Sequence, residues 1–178
     1  MRKVLLLDKN GTLVKPRSDS NFVQDPWDQE AIPDVKQKLE DYQEKGWECL
    51  IISNQGGIGA GYKTIESTIN EMRFCLELFP QIKEAFFCPD FQGDECYRVW
   101  GKGEESQILY NRKSWGVAEL GIEGKFRKPN PGMLILAAHL YGAEKLLMIG
   151  TREEDALAAS KAKIKFLWHE EWLYGIIS

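Results

Sequence analysis

No segment of the 178-residue chain approaches the roughly 20 apolar residues that cross a bilayer, and no repeat or low-complexity stretch interrupts it. The N-terminus runs Met1-Arg2-Lys3 and then only Val4-Leu5-Leu6-Leu7, without the longer apolar region and cleavage site of a secretion signal. These absences exclude a helical membrane span and make a cytoplasmic location the expectation. Cysteine is sparse, with four residues, Cys49, Cys75, Cys88 and Cys96. A domain of this size without a secretion signal needs no disulfides, and Cys49 and Cys75 fall in apolar-patterned segments where a thiol acts as a small buried hydrophobe. Histidine is scarcer still: His139 and His169 stand alone, so neither has the neighbours of a metal site. A formal net charge of −4 supplies no overall attraction to nucleic acid, although it leaves room for a local basic rim.

What is present is an ordinary globular composition and a length that fits one domain, residues 1–178, with room only for a small insertion. Val4 to Leu7 is a short apolar run stopped by Asp8 and the turn pair Asn10-Gly11, which predicts a strand buried on both faces. From Asp34, Val35, Leu39 and Tyr42 recur at helical spacing until Gly46, and Cys49 to Ile52 forms the next strand, ending at Ser53. A helix is predicted from about Thr64, carrying Ile65, Ile69, Met72 and Leu76 on one face, and a strand at Ala85 to Cys88. Residues 89 to about 125 show no clean period and read as an inserted loop. Beyond them come a helix from about Pro131, a strand at Leu146 to Ile149, an alanine-rich helix from about Glu153, and a last strand at Ile164 to Trp168. Alternation of this kind builds an α/β fold, a Rossmann-like parallel sheet with helices on both faces. Ligands in such sheets bind beyond the carboxyl ends of the strands, and Asp8, Ser53 and Thr151 each follow a predicted strand directly.

Asp8-Lys9-Asn10-Gly11-Thr12 resembles the first motif of the haloacid dehalogenase-like phosphohydrolase superfamily, in which Asp-x-Asp-Gly-Thr follows the first strand. Ser53-Asn54-Gln55-Gly56-Gly57-Ile58-Gly59 resembles the second, Arg127-Lys128-Pro129 the third, and Gly150-Thr151-Arg152-Glu153-Glu154-Asp155 the fourth, in the order the superfamily has them. The resemblance implies that Asp8 attacks phosphorus and forms an aspartyl phosphate, splitting hydrolysis into two displacements. It implies that Ser53, Asn54, Gln55 and Lys128 bind phosphate, with Lys128 also part of the catalytic set, because phosphoryl transfer needs donors and positive charge on the equatorial oxygens. The glycines at 56, 57, 59 and 61 suit a close approach of backbone to phosphate. Mg²⁺ would be held by Asp8, the backbone carbonyl of Asn10 and Asp155.

Two positions depart from the superfamily pattern. The second acid of the first motif, which protonates the leaving group, is Asn10 here, and an amide can donate a hydrogen bond but cannot shuttle a proton. The first acid of the fourth motif is Thr151, which removes a principal metal ligand. Glu153 or Glu154 could replace it only by reaching from the first turn of a helix, where acids are also favoured simply by the helix N-terminus. The expectation is weakened catalysis with weak or absent Mg²⁺; the competing class is a catalytically inactive phosphate-binding or regulatory protein.

The motif spellings resemble the compact branch without a large cap, which includes histidinol-phosphate and heptose-bisphosphate phosphatases and the 3′-phosphatase domain of polynucleotide kinase. The zinc loop of the sugar and histidinol enzymes is incomplete: Asp90 follows Cys88-Pro89, Cys96 stands alone and Phe126 occupies the last cysteine position, so no zinc is expected. Phe22 to Pro33 leans towards the polynucleotide type, and Tyr97, Arg98, Trp100, Lys102, Arg112, Lys113 and Trp115 interleave bases with aromatics, as surfaces that stack single strands do. The same residues also suit a loop packing its own aromatics. The implied partner is a phosphorylated small molecule or a 3′-phosphorylated nucleic-acid end, the latter slightly favoured.

Overall fold

Strand β1 (Lys3–Leu7) is the centre from which the rest of the fold is laid out. In the computed structural model, which describes residues 1–101, 105–122 and 125–175, β1 pairs in parallel with β4 (Trp47–Asn54) on one side and β8 (Lys145–Gly150) on the other. Beyond β4 lies β5 (Ile82–Cys88), and beyond β8 lies β9 (Lys165–Trp168), both parallel. Side chains alternate across a strand. Leu5 and Leu7 of β1 therefore enter one core with Cys49, Ile51, Leu147 and Ile149, while Val4 and Leu6 enter the other with Leu50, Ile52 and Met148.

Helices cover both faces. The first core is closed by α1 (Val35–Glu44) through Val35 and Leu39, by α3 (Ile65–Leu78) through Ile69, Met72 and Cys75, and by α6 (His169–Tyr174) through Trp172. The second is closed by α4 (Gly132–Tyr141) through Met133, Leu134, Leu136 and Ala137, and by α5 (Glu153–Lys161) through Ala158 and Ala159. All four cysteines are buried and free, Cys49 and Cys75 in the first core and Cys88 and Cys96 in the second. Thr64 starts α3 as read from the sequence, its hydroxyl accepting the Ser67 amide at 3.0 Å.

The insertion differs from the expected loop. It contains β6 (Cys96–Val99) and β7 (Gln107–Tyr110), which continue the sheet antiparallel to give the seven-strand order β7-β6-β5-β4-β1-β8-β9. Besides α6, two features have no counterpart in the sequence reading. One is a small antiparallel pair, β2 (Val14–Lys15) with β3 (Glu30–Ala31); the other is the single turn α2 (Gly56–Gly59). No large cap is present among the described residues, and none of their helices is long and apolar enough to cross a membrane.

Candidate active site

Because β1 lies between β4 and β8, the chain leaves the sheet in opposite directions on its two sides, and a crevice opens at the carboxyl ends. Asp8, Asn10, Ser53, Asn54, Arg152 and Glu154 line it. Asp8 extends the β1 ladder by one bond, its amide donating to the Ile149 carbonyl at 3.0 Å. The turn that follows requires Gly11, whose φ of +80° is costly for a residue with a Cβ. Thr151 packs over this turn, its Oγ1 3.5 Å from where a Cβ on Gly11 would lie.

At the base of the cleft Lys128, 2% exposed, joins two carboxylates. Its ammonium donates to Asp8 Oδ1 at 2.9 Å, to Asp155 Oδ1 at 2.6 Å and to the Ile52 carbonyl at 2.8 Å. Burial disfavours the charged lysine, yet the two carboxylates beside it raise its pKa above the ordinary value. Burial also raises the pKa of Asp8, with the Lys128 charge opposing it.

The sequence places Asp155 among metal ligands, but here its oxygens are engaged elsewhere. Oδ1 takes Lys128, and Oδ2 accepts the amides of Thr151 at 3.2 Å and Arg152 at 3.1 Å, closing the first turn of α5. Gly150 makes room for this: a Cβ there would sit 2.4 Å from Asp155 Oδ2. Of the two glutamates, Glu154 reaches the cleft, and Glu153 is exposed outside its lining.

The second-motif residues divide in a way their spacing did not reveal. Ser53 lines the cleft and is held from behind by Gln55, whose Nε2 donates to Ser53 Oγ at 3.0 Å. Gln55, expected on the phosphate, is thus a buried support and not a lining residue. Asn54 lines the cleft but its side chain splints two loops, donating to the Lys128 carbonyl at 2.9 Å and accepting the Lys128 amide at 3.0 Å. Two of the three glycines of α2 make room for Phe91 and Arg127. A Cβ at Gly59 would lie 3.0 Å from the Phe91 ring and one at Gly56 3.3 Å from Arg127, which itself stacks on Phe91 at 5.1 Å.

One cluster has no signal in the sequence. Lys9 is fully buried, and its ammonium donates to Glu71 Oε1 at 2.6 Å and to Asn10 Oδ1 at 3.1 Å. Glu71, also buried, pairs through its other oxygen with Lys63 at 2.5 Å. Its carbonyl accepts Gln29 Nε2 at 3.0 Å, which ties the segment before β3 to α3.

Two of the insertion's bases pair with acids, and one of its aromatics packs on the sheet. Arg98 makes two hydrogen bonds to buried Glu84 at 2.6 and 3.0 Å, Arg112 bonds Asp94 at 2.7 Å, and Tyr97 stacks on Phe87 at 5.1 Å. Lys102 lies outside the described residues. At the incomplete zinc loop, Asp90 accepts the amides of Asp94 at 2.9 Å and Glu95 at 3.0 Å, so its carboxylate organises the turn itself.

Residues 3–149 match the model of the polynucleotide kinase 3 phosphatase family. A D-glycero-alpha-D-manno-heptose-1,7-bisphosphate 7-phosphatase of Burkholderia mallei is 26% identical over 67% of this chain and 55% of its own length. A heptose-1,7-bisphosphate 7-phosphatase of Thermoplasma volcanium is 34% identical over 53% of this chain and 65% of its own length. The chain thus spans under two thirds of either relative. The solved D,D-heptose 1,7-bisphosphate phosphatase of B. bronchiseptica, complexed with magnesium and phosphate, shares the fold at a TM-score of 0.61 and 20% identity, covering 92% of this chain and 78% of that one. With four ordered motifs converging on one crevice and a family match over most of its length, the chain belongs to the polynucleotide kinase 3 phosphatase family.

Proposed function

We propose that the chain is a phosphomonoester phosphohydrolase acting on a small phosphorylated molecule, with Asp8 as the nucleophile. The observation that supports this most is the buried lysine joining Asp8 to Asp155 beneath the cleft. Asp8 Oδ1 is held on Lys128, and Oδ2, in a long 3.5 Å contact from Thr12 Oγ1, is the oxygen proposed to attack. Attack forms a bond from that oxygen to phosphorus while the bond to the leaving oxygen breaks. Ser53 at the cleft wall supplies a hydroxyl donor to the phosphoryl oxygens, Arg152 a cation, and Lys128 keeps the departing and returning carboxylate in place.

The charges of the cleft argue for a divalent cation. Lys128 is already shared by two carboxylates, and of the charged residues lining the cleft Asp8 and Glu154 are acids and Arg152 a base, so a phosphate dianion meets more acid than base on the cleft wall. Mg²⁺ is commonly bound by one or two carboxylates together with water and substrate phosphate. Asp8, the Asn10 carbonyl and Glu154 are hard oxygen donors of that kind, and Asp155 has no oxygen to spare. Bound there, the metal would neutralise charge between nucleophile and phosphate. Glu154→Gln should therefore weaken Mg²⁺ binding, measured by calorimetry with inorganic phosphate present, by at least about tenfold, the loss that even outer-shell changes produce. Glu153→Gln should leave it unchanged; equal effects would remove Glu154 from the metal site.

The names of the curated relatives make phosphorylated sugars the first substrates to examine. The 3′-phosphorylated strand end, slightly favoured by the sequence, forms the second panel. Phosphate release should be measured with Mg²⁺ over both panels. The expected result is slow turnover that Asp8→Asn reduces by about 10³-fold or more, as removal of a nucleophile does. Phosphate binding without any Asp8-dependent turnover would establish the binding-protein reading instead.

A further inference from the structure

The seven-strand sheet has two edges, and they are built differently. β9 carries exposed Lys165, and a lysine on an edge strand discourages further pairing. β7, at the other end, reads Gln107-Ile108-Leu109-Tyr110, without charge, proline or bulge. Trp100 donates its amide to the Ser106 carbonyl at 3.0 Å, in the register that pairs Arg98 with Ile108 and Cys96 with Tyr110. Bonded pairs alternate with unbonded ones in an antiparallel ladder, so Ser106, Ile108 and Tyr110 turn their N–H and C=O groups towards β6. Those of Gln107 and Leu109 point the other way, where no strand follows among the described residues. The edge is held in place. Arg73 of α3 donates to Ser106 Oγ at 3.3 Å and to Gln107 Oε1 at 3.4 Å, and the Asn111 amide donates to Ser114 Oγ at 2.8 Å. Ile108 and Leu109, on opposite faces, are 40% and 37% exposed.

We propose that β7 is a docking strand for a second copy of this chain, which pairs with it antiparallel about a two-fold axis at Ile108 and joins the two sheets into one. The occupant follows from self-complementarity. With Gln107 of each copy opposite Leu109 of the other, every outward N–H and C=O of the two residues finds a partner: the Gln107 amide donates to the Leu109 carbonyl, and the Leu109 amide to the Gln107 carbonyl. Ile108 then meets Ile108 as an unbonded pair, where side chains lie closest. Charge completes the match. Glu105 precedes the strand, and Lys113 and Arg112, which also pairs with Asp94, follow it; all three are exposed. Antiparallel pairing sets each copy's acid beside the other's bases, whereas parallel pairing would set like beside like. β7 runs parallel to β5, because each is antiparallel to β6, so the two-fold axis points the two crevices in opposite directions and leaves both open. An interface built on so short a strand lies at the small end of specific ones, and the dimer is a reversible one.

Sedimentation velocity of the full chain, followed from dilute to concentrated solution, should show a monomer that passes to a dimer and to nothing larger. Leu109→Pro removes an outward N–H and keeps every bond to β6, so it should fold and sediment as a monomer throughout; proline is tolerated on the free side of an edge. Ile108→Glu and Ile108→Lys should each stay monomeric as well, because like charges would meet at the axis, and an equal mixture of the two should restore the dimer. That recovery needs no proline and decides the matter if Leu109→Pro fails to fold. Oxidation reads the register: Ile108→Cys should cross-link two chains, whereas Leu109→Cys, which faces position 107, should not. A parent chain that stays monomeric at every concentration, leaving the edge to a different protein, would overturn the inference. So would a dimer that survives Leu109→Pro, a mixture of the two charged variants that stays monomeric, or a cross-link at position 109 in place of 108.

Discussion

Lys128→Met should destabilise the protein by about 3 to 5 kcal/mol, the cost of stranding buried charge when one partner of a buried ion pair is removed. The substitution leaves Asp8 and Asp155, 8% and 1% exposed, without the ammonium that joins them. Urea unfolding at neutral pH measures the loss. The sign of its pH dependence follows from Asp8, whose pKa burial already raises in the presence of Lys128. Without the lysine it rises further, so the folded state binds protons more readily than the unfolded chain, and the deficit should shrink as pH falls. Adding Asp8→Asn to Lys128→Met removes one of the two stranded charges and should recover part of the loss. A variant as stable as the parent across this pH range would mean that the Lys128 pairs contribute nothing.

Gly150→Ala should cost about 3 kcal/mol, at the upper end of overpacking effects. The added methyl would fall 2.4 Å from Asp155 Oδ2, 2.6 Å from its Cβ and 2.7 Å from its Cγ. Retreat is blocked in an unusual way, because moving the carboxylate breaks its bonds to the Thr151 and Arg152 amides and to Lys128 together. Gly57→Ala is the contrasting case. Its Cβ would meet only Lys63 side-chain carbons at 3.5 Å, an ordinary contact, and it lies within a helical turn that alanine favours. Thermal melting of the two variants should show a large fall for the first and little change for the second; similar melting points would refute the steric account.

Three of the five parallel strands, β1, β4 and β8, were legible with their polar ends because each is a short, nearly continuous apolar run closed by Asp8, Ser53 or Thr151. The antiparallel extension was not. Its strands are four residues each, and Arg98 reads as one of a row of bases among aromatics although its partner, Glu84, stands on the neighbouring strand. Pairing across strands leaves no trace in local periodicity. The same limit hides the Lys9–Glu71 pair, 62 residues apart along the chain. A lysine between a buried strand and a turn gives no sign that it points inward. The glycines at 56 and 59 have two physical uses, close approach to an anion or space for a ring, and only the position of Phe91 distinguishes them. Gln55 and Asp155 sit two residues and four residues from the polar strand ends Ser53 and Thr151, so their position in the motif was evident while the direction of their side chains was not.

The four buried thiols give the chain a property unrelated to phosphate. Burial pushes the thiols of Cys49, Cys75 and Cys88 up to about 12 and that of Cys96 well above its ordinary value. Thiolate, the form that reacts, is scarce at neutral pH, and an alkylating reagent has no path to the sulfur while the layers stay closed. Two of the thiols belong to each side of the sheet. The natural sequence therefore carries a pair of internal reporters for each layer, so that the order in which cysteines become alkylated records which layer separates from the sheet first, without any label having to be introduced.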